Sequence, residues 1–256
     1  MIAGMGIHSG KTCRVRLHRE EGPIRFRRGK AEIPALLSAV SSTDRCVVLA
    51  QGGAKVAVVE HLLAALNISG FWSGVVVEVE GEELPILDGS ALPWQEEIAP
   101  LGEAPPAPLA LIPQRGVTLE GGLVEVAPGK PRLEVNVDYP HPAIGRQQWT
   151  GGPDLWPQLL DARTFGFLEE FETLRSLGLA LGANTENAIV FDDSGPIEPL
   201  RHADEPVRHK ALDLLGDLAL LGRPLHAAVR VDCGSHRVHV DLMHQLQQLS
   251  STKVAT

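Results

Sequence analysis

The sequence predicts an α+β fold in two halves, and three observations predict it. Short apolar or alternating runs at 75–79, 133–137, 229–232 and 238–241 read as strands, and they fall in both halves of the chain. Two longer patterns, around 61–66 and 207–221, repeat their apolar residues at helical spacing, one in each half. Between them, Ala99-Pro100-Leu101-Gly102-Glu103-Ala104-Pro105-Pro106-Ala107-Pro108 is dense in proline and favours an extended connector. The division is therefore an N-terminal α+β domain over 1–100, a Pro-rich linker over 101–112 and a C-terminal α+β domain over 113–256. Each half has strands and an amphipathic helix, as a two-layer architecture needs. A chain of 256 residues with 44% hydrophobic content has ample apolar surface for such a core.

In chain order, the first element is a turn. Gly4-Met5-Gly6-Ile7-His8-Ser9-Gly10-Lys11 has the glycines of a phosphate loop, but Gly4 stands at the wrong distance from Gly10-Lys11-Thr12, so the segment reads as a hairpin turn. The helix at 61–66 is strongly apolar through Leu62, Leu63, Ala65 and Leu66, with Glu60 and His61 at its entry, where the helix dipole favours an acid. Charge buried beside such a face requires a compensating partner. For the helix at 207–221, Asp204 is the expected cap and Pro206 sits where a missing N–H costs nothing. Leu212, Leu215 and Ala219 form its apolar face, Gly222 and Pro224 end it, and His209, Asp213 and Asp217 form its polar stripe.

Composition excludes several classes. A net charge of −9 with no Lys/Arg cluster longer than a few residues argues against nucleic acid, whose phosphates most of this surface repels. No apolar run reaches the roughly 18 residues of a membrane span. Cys13, Cys46 and Cys233 are odd in number and far apart, and no charged-then-apolar leader precedes them. A reducing, cytoplasmic location is expected, with the thiols as inert packing.

The chemistry starts from His209 and Asp213, which four-residue spacing puts on one helix face. An isolated His-x-x-x-Asp is most often a solvated stripe, and two ligands do not make a site. His61 offers a third. Two histidines and one carboxylate are the ligand count of a catalytic zinc site, which keeps a position open for water, and Glu60 remains as an acid that need not bind. The same set suits non-haem Fe2+. If both helices turn their polar faces inward, the ion lies at the junction of the halves, where ligand clefts tend to form.

Several segments, in order and over nearly the whole chain, carry a resemblance. They are Gly6-Ile7-His8-Ser9-Gly10-Lys11, Val59-Glu60-His61-Leu62, Leu84-Pro85-Ile86-Leu87-Asp88-Gly89-Ser90 and His141-Pro142-Ala143-Ile144. Ala162-Arg163-Thr164-Phe165-Gly166-Phe167, Asn187-Ala188-Ile189-Val190 and Val207-Arg208-His209-Lys210, running to Gly216-Asp217, complete the set. Together they resemble the zinc-dependent UDP-3-O-acyl-N-acetylglucosamine deacetylases of Gram-negative lipid A synthesis. The resemblance implies two similar two-layer α/β sandwich domains, with helices packed between the two sheets and the active site at the domain junction. It implies Zn2+ on His61, His209 and Asp213, Glu60 as general base, and His236 as catalytic acid or oxyanion partner oriented by Asp217. Thr164 is then expected to hold the carbonyl oxygen, and Lys210 to meet the substrate near the metal. The implied reaction removes acetate from a small amphiphilic nucleotide sugar, the committed step of lipid A biosynthesis.

These roles are chemically coherent, because a bound metal lowers the pKa of its water to about 7 and an adjacent acid can take the proton. The substrate joins a fatty chain to a charged head, so an apolar passage is expected. Phe165 and Phe171 are the chosen acyl contacts, with Phe167, Leu174 and Leu177 as further lining. The pattern departs from the family where Cys233 replaces a lysine three before His236, leaving Arg237 or Lys210 for the diphosphate, and where Ala183 replaces a glycine. The chain also starts closer to Gly6-Ile7-His8 than is usual, so its first strand is expected to be short or differently begun. His236 lies in a stretch whose ordinary reading is a surface turn, with His239 as a competitor for its role. His8, His18, His141, His202, His226 and His244 read as surface or core residues. A monomer is expected. Two other readings stay open, a non-catalytic binder of the nucleotide sugar or acyl chain and a metal hydrolase of another N-acyl sugar.

Overall fold

The computed structural model describes residues 1–119 and 123–251. The chain opens with β1 (Ile2–Met5), β2 (Thr12–Pro23), β3 (Arg25–Arg28) and β4 (Ala31–Pro34), then a small sheet of β5 (Val40–Ser42), β6 (Val48–Gln51) and β7 (Ala54–Ala57). Helix α1 (Glu60–Ile68) and strand β8 (Ser73–Glu80) follow, and α2 (Trp94–Ile98) closes the first half. The second half repeats the plan: β9 (Val117–Leu119), β10 (Val124–Pro128), β11 (Arg132–Asp138) and β12 (Arg146–Gly151) come first. An insert of β13 (Phe165–Phe167), α3 (Phe171–Ser176), β14 (Ile189–Asp192) and β15 (Gly195–Pro196) leads to α4 (Glu205–Leu218), β16 (Ala227–Asp232) and α5 (His236–Ser251).

The two large sheets have one topology. The first runs β1-β2-β8-β3-β4 and the second, read in the matching direction, β9-β10-β16-β11-β12. In each, the last strand made enters the middle of the sheet, parallel to one neighbour and antiparallel to the other. Burial explains why these strands are central: Val75, Val76 and Val77 of β8 are completely enclosed, and Val229 and Val231 of β16 nearly so. A strand this apolar reaches the centre of a covered sheet more readily than its edge.

The apolar faces of both sheets and of α1, α4 and α5 contribute to one continuous core. Helices α1 and α4 cross so closely that a β-carbon on Gly216 of α4 would lie 2.1 Å from the Glu60 carbonyl oxygen of α1. Asn67 Nδ2 donates to the Leu215 carbonyl oxygen at 3.1 Å, a second tie between the same helices. That crossing sets the spacing of everything projecting from the two helices toward the inserts.

The α+β class, the two helices and the Gly4–Lys11 turn are as the sequence predicts, with Met5 facing Thr12 across the first hairpin. The residues at 238–241 are not a strand. They lie inside α5, where Val238, Leu242 and Leu246 recur every four residues and are buried, a helical period that the short Val-His-Val alternation masks. Asp204 does occupy the N-cap of α4, yet its side chain makes no capping bond and instead accepts from Arg208 Nε at 2.7 Å. Gly222, in the left-handed region at φ 67°, ends the turn that extends α4.

Candidate active site

The first turns of α1 and the middle of α4 bring His61, His209 and Asp213 together. His209 Nε2 lies 3.3 Å and His61 Nε2 3.9 Å from Asp213 Oδ1. The imidazoles meet edge to face with centroids 5.0 Å apart, and the three donor atoms fall within 4.8 Å of one another. All three residues are buried. His209 Nδ1 donates to the Ala162 carbonyl oxygen at 3.1 Å, which fixes the tautomer and leaves the Nε2 lone pair facing the cluster.

The protonation states fit a metal. Burial, reinforced by the neighbouring His209, pushes the His61 imidazole down to about 3, and burial likewise lowers His209. Burial favours the neutral form of Asp213 too, but His209, Lys210 and His236 outweigh it and hold the carboxyl below the usual carboxylate range. Lys210 Nζ sits 3.0 Å from Asp213 Oδ2. Two neutral imidazoles and one carboxylate are what a divalent cation needs.

Glu60 is buried beside this cluster, with Oε2 accepting from the Val47 N–H at 3.1 Å. Burial raises its carboxyl to about 7, against the pull of His236. It follows a strained step, since Val58 is a β-branched residue held at φ 59°, a conformation such side chains avoid. His236 opens α5 as a buried residue instead of occupying a surface turn. Its Nε2 is 3.7 Å from Glu60 Oε1, and its Nδ1 is 2.8 Å from Asp217 Oδ2. Burial works against the imidazolium, but the Asp217 carboxylate overrides it and lifts His236 to about 10. A carboxylate that accepts protons near neutrality and an imidazolium that holds one thus face each other.

These groups border a cavity of about 390 Å³ between the two inserts, the small β5–β7 sheet with its connections and the β13–β15 segment. Thr164, Phe165, Phe167, Phe171 and Leu174 line it, as do Glu60, His61, His209, Lys210, Asp213 and His236. Thr164 is pinned on both sides, its N–H donating to the Gly89 carbonyl and its own carbonyl accepting from Ile189. Lys210 Nζ hangs 5.7 Å over the Phe165 ring. Leu177 does not line the cavity and is 70% exposed, because α3 ends at Ser176 and turns it outward. Arg237 is exposed and outside the lining. Cys13 and Cys46 are buried, but Cys233 is exposed at φ 49° and so is not packing.

Some residues of the site have no role assigned from the sequence, even where they fall inside the quoted segments. His8, read as an ordinary histidine, borders the cavity beside Tyr139, Arg45 and Cys46. Its loop is held by Glu83, whose two oxygens accept the N–H groups of His8 and Ser9 at 2.7 Å each. The Thr164 strand is held from behind by the Arg163–Glu205 pair, 2.9 Å apart, with Glu205 wholly buried. The available signals were slight: an acid just before Leu84-Pro85, and a charged pair spread over 42 positions.

An α+β fold with this cluster defines a class, an enzyme able to gather a metal ion and an acid–base pair at one buried point. The comparisons give the family. The model of the UDP-3-O-acyl N-acetylglycosamine deacetylase family, LpxC, matches residues 1–248, and the chain belongs to that family. The UDP-3-O-acyl-N-acetylglucosamine deacetylase of Thermosynechococcus vestitus is 42% identical to it, over 96% of this chain and 90% of that one. The enzymes of the same name from Nitratidesulfovibrio vulgaris and Brucella melitensis are 38% and 35% identical, over 97% and 96% of this chain and 85% and 91% of theirs.

Proposed function

We propose that this chain hydrolyses the acetamide of UDP-3-O-acyl-N-acetylglucosamine, releasing acetate and UDP-3-O-acyl-glucosamine, the committed step of lipid A biosynthesis. The observation that carries this reading is the meeting of His61, His209 and Asp213 beside Glu60 at a cavity walled by aromatic rings, in a chain of that family. His61, His209 and Asp213 are the residues that would hold Zn2+, and Fe2+ also suits the set. A divalent ion there supplies Lewis acidity, which makes water a nucleophile near neutral pH.

Glu60 takes the proton of the attacking water, and a carboxyl at about 7 is matched to that task. His236 carries the proton that the leaving amine needs, held on an imidazole that Asp217 keeps charged. As charge builds on the former carbonyl oxygen, the Thr164 hydroxyl and the His236 N–H stabilise it, by about 3 to 4 kcal/mol per well-placed donor. Lys210 balances Asp213 and meets the substrate near the metal. Arg237, exposed outside the cavity, is left for the diphosphate, and Phe165 and Phe171 take the acyl chain.

The same reading takes the protein to be a cytoplasmic monomer. One chain supplies every group named, and no helix among the described residues is long and apolar enough to cross a membrane. It also takes 1–100 and 113–256 as separate domains, supported by the one strand order repeated on either side of 101–112.

The test is to incubate metal-loaded protein with the nucleotide sugar and follow acetate and free amine together. Glu60→Gln should keep its metal and lose about a thousandfold in turnover, the scale of a general base, whereas His209→Ala should lose the metal itself. A Glu60→Gln protein with normal turnover ends the base assignment, and a parent protein that binds the sugar but releases no acetate ends the deacetylase reading.

A further inference from the structure

Asp217 is wholly buried, and a single one of its oxygens does the hydrogen bonding. Oδ2 lies 2.8 Å from His236 Nδ1 and 2.7 Å from His239 Nδ1. Burial opposes its ionisation, but His236 and His239 outweigh that, and a carboxylate only accepts, so both imidazoles donate. Oδ1 has no partner among the described residues. The orientation of the carboxylate is therefore set at Oδ2, by two donors three residues apart on α5.

His239 is itself tightly held. It is 3% exposed, and its Nε2 lies only 2.8 Å from where a β-carbon on Gly234 would stand. It does not line the cavity; it reaches the chemistry through Asp217 and through an edge-to-face approach to the His236 ring, centroids 6.3 Å apart.

We propose that His239 is a positioning residue: by sharing Oδ2 of Asp217 with His236, it locks the carboxylate and thereby the imidazole that faces Glu60 across the cavity. Without that second donor the carboxylate is free to turn, and His236 loses its aim while the substrate pocket keeps its walls. The proposal rests on the deacetylase reading for its kinetic outcome and stands apart from it for the spectroscopic one.

Atom placement gives a sharp test. Asparagine carries its amide nitrogen on Cγ, the atom that carries Nδ1 in histidine, so His239→Asn keeps a donor at the required point. Gln moves the donor one methylene further, and Leu fills space without donating. His239→Leu and His239→Gln are expected to lose about tenfold in kcat with KM unchanged, the effect of one hydrogen bond to a charged group. His239→Asn should stay within about twofold of the parent. A His239→Leu enzyme at parental kcat, or a His239→Asn enzyme as impaired as the Leu variant, overturns the proposal. Independently, 15N-edited NMR of the imidazoles should show the His236 Nδ1–H signal displaced by His239→Leu and retained by His239→Asn. An undisturbed signal in the Leu variant overturns the proposal even if the parent proves inactive on the nucleotide sugar, an outcome that would sink only the functional reading.

Discussion

In the proposed reaction Glu60 and His236 divide the acid–base work because similar burial meets different neighbours. Glu60 sits among other acids and is left to rise to about 7, while His236 has Asp217 against its ring and is held up to about 10. The signs follow directly. Glu60 must be ionised to accept a proton, so kcat/KM should climb as pH passes about 7, and His236 must be charged to donate, so it should fall as pH passes about 10. Replacing Asp217 with Asn removes the charge that supports the imidazolium and should shift the falling limb to lower pH; an unmoved limb would assign it to another group. At this scale the cluster of proposed ligands was the legible part, since His209 and Asp213 follow from helical spacing and His61 from a charge placed on an apolar helix. His236 was not, because Gly234-Ser235 before it looks like any exposed turn, and only the packing of α5 against α4 buries it.

At the level of elements, the α1–α4 crossing is the part most sensitive to change. Gly216 stands where any side chain would meet the Glu60 carbonyl at 2.1 Å, so the glycine is required by proximity and not by its backbone angle. Gly216→Ala must push the helices apart, and a destabilisation of about 3 kcal/mol is expected in urea titration, at the upper end for overpacking. Loss of metal affinity should accompany it, because His61 and Asp213 ride on opposite sides of that contact. Helix α4 could be read from the sequence because it is long and periodic, and α1 because its apolar run follows an acid and a histidine at its entry. The strand expected at 238–241 failed because four residues cannot distinguish a period of two from one of 3.6, and the Leu242, Leu246 continuation was the better guide. The inserts were illegible as elements, since strands of three or four residues such as Phe165–Phe167 take their pairing from a distant segment, Ile189–Asp192.

For the whole molecule, the repeated strand order makes the cleft a joint product. One half supplies Glu60 and His61, and the other supplies His209, Asp213, His236 and the aromatic wall. A substrate lacking the 3-O-acyl chain should accordingly bind the metal end and turn over poorly, and Phe171→Ala should narrow the gap between the two substrates. Equal kcat/KM on both in the parent protein would remove the acyl role from this wall. That the halves are alike was expected from the resemblance, whereas the matching strand order was beyond sequence reading, because strand neighbours are chosen by long-range burial and not by adjacency in the chain.

One consequence concerns synthesis. Strand β16 is made after α4 yet separates β10 from β11, so a ribosome must pass Asp232 before the second sheet can close. Until then two unsatisfied strand edges stand open, the condition under which nascent chains stick to one another. A premature stop shortly upstream of residue 227 should therefore yield insoluble product, not a soluble protein lacking a tail.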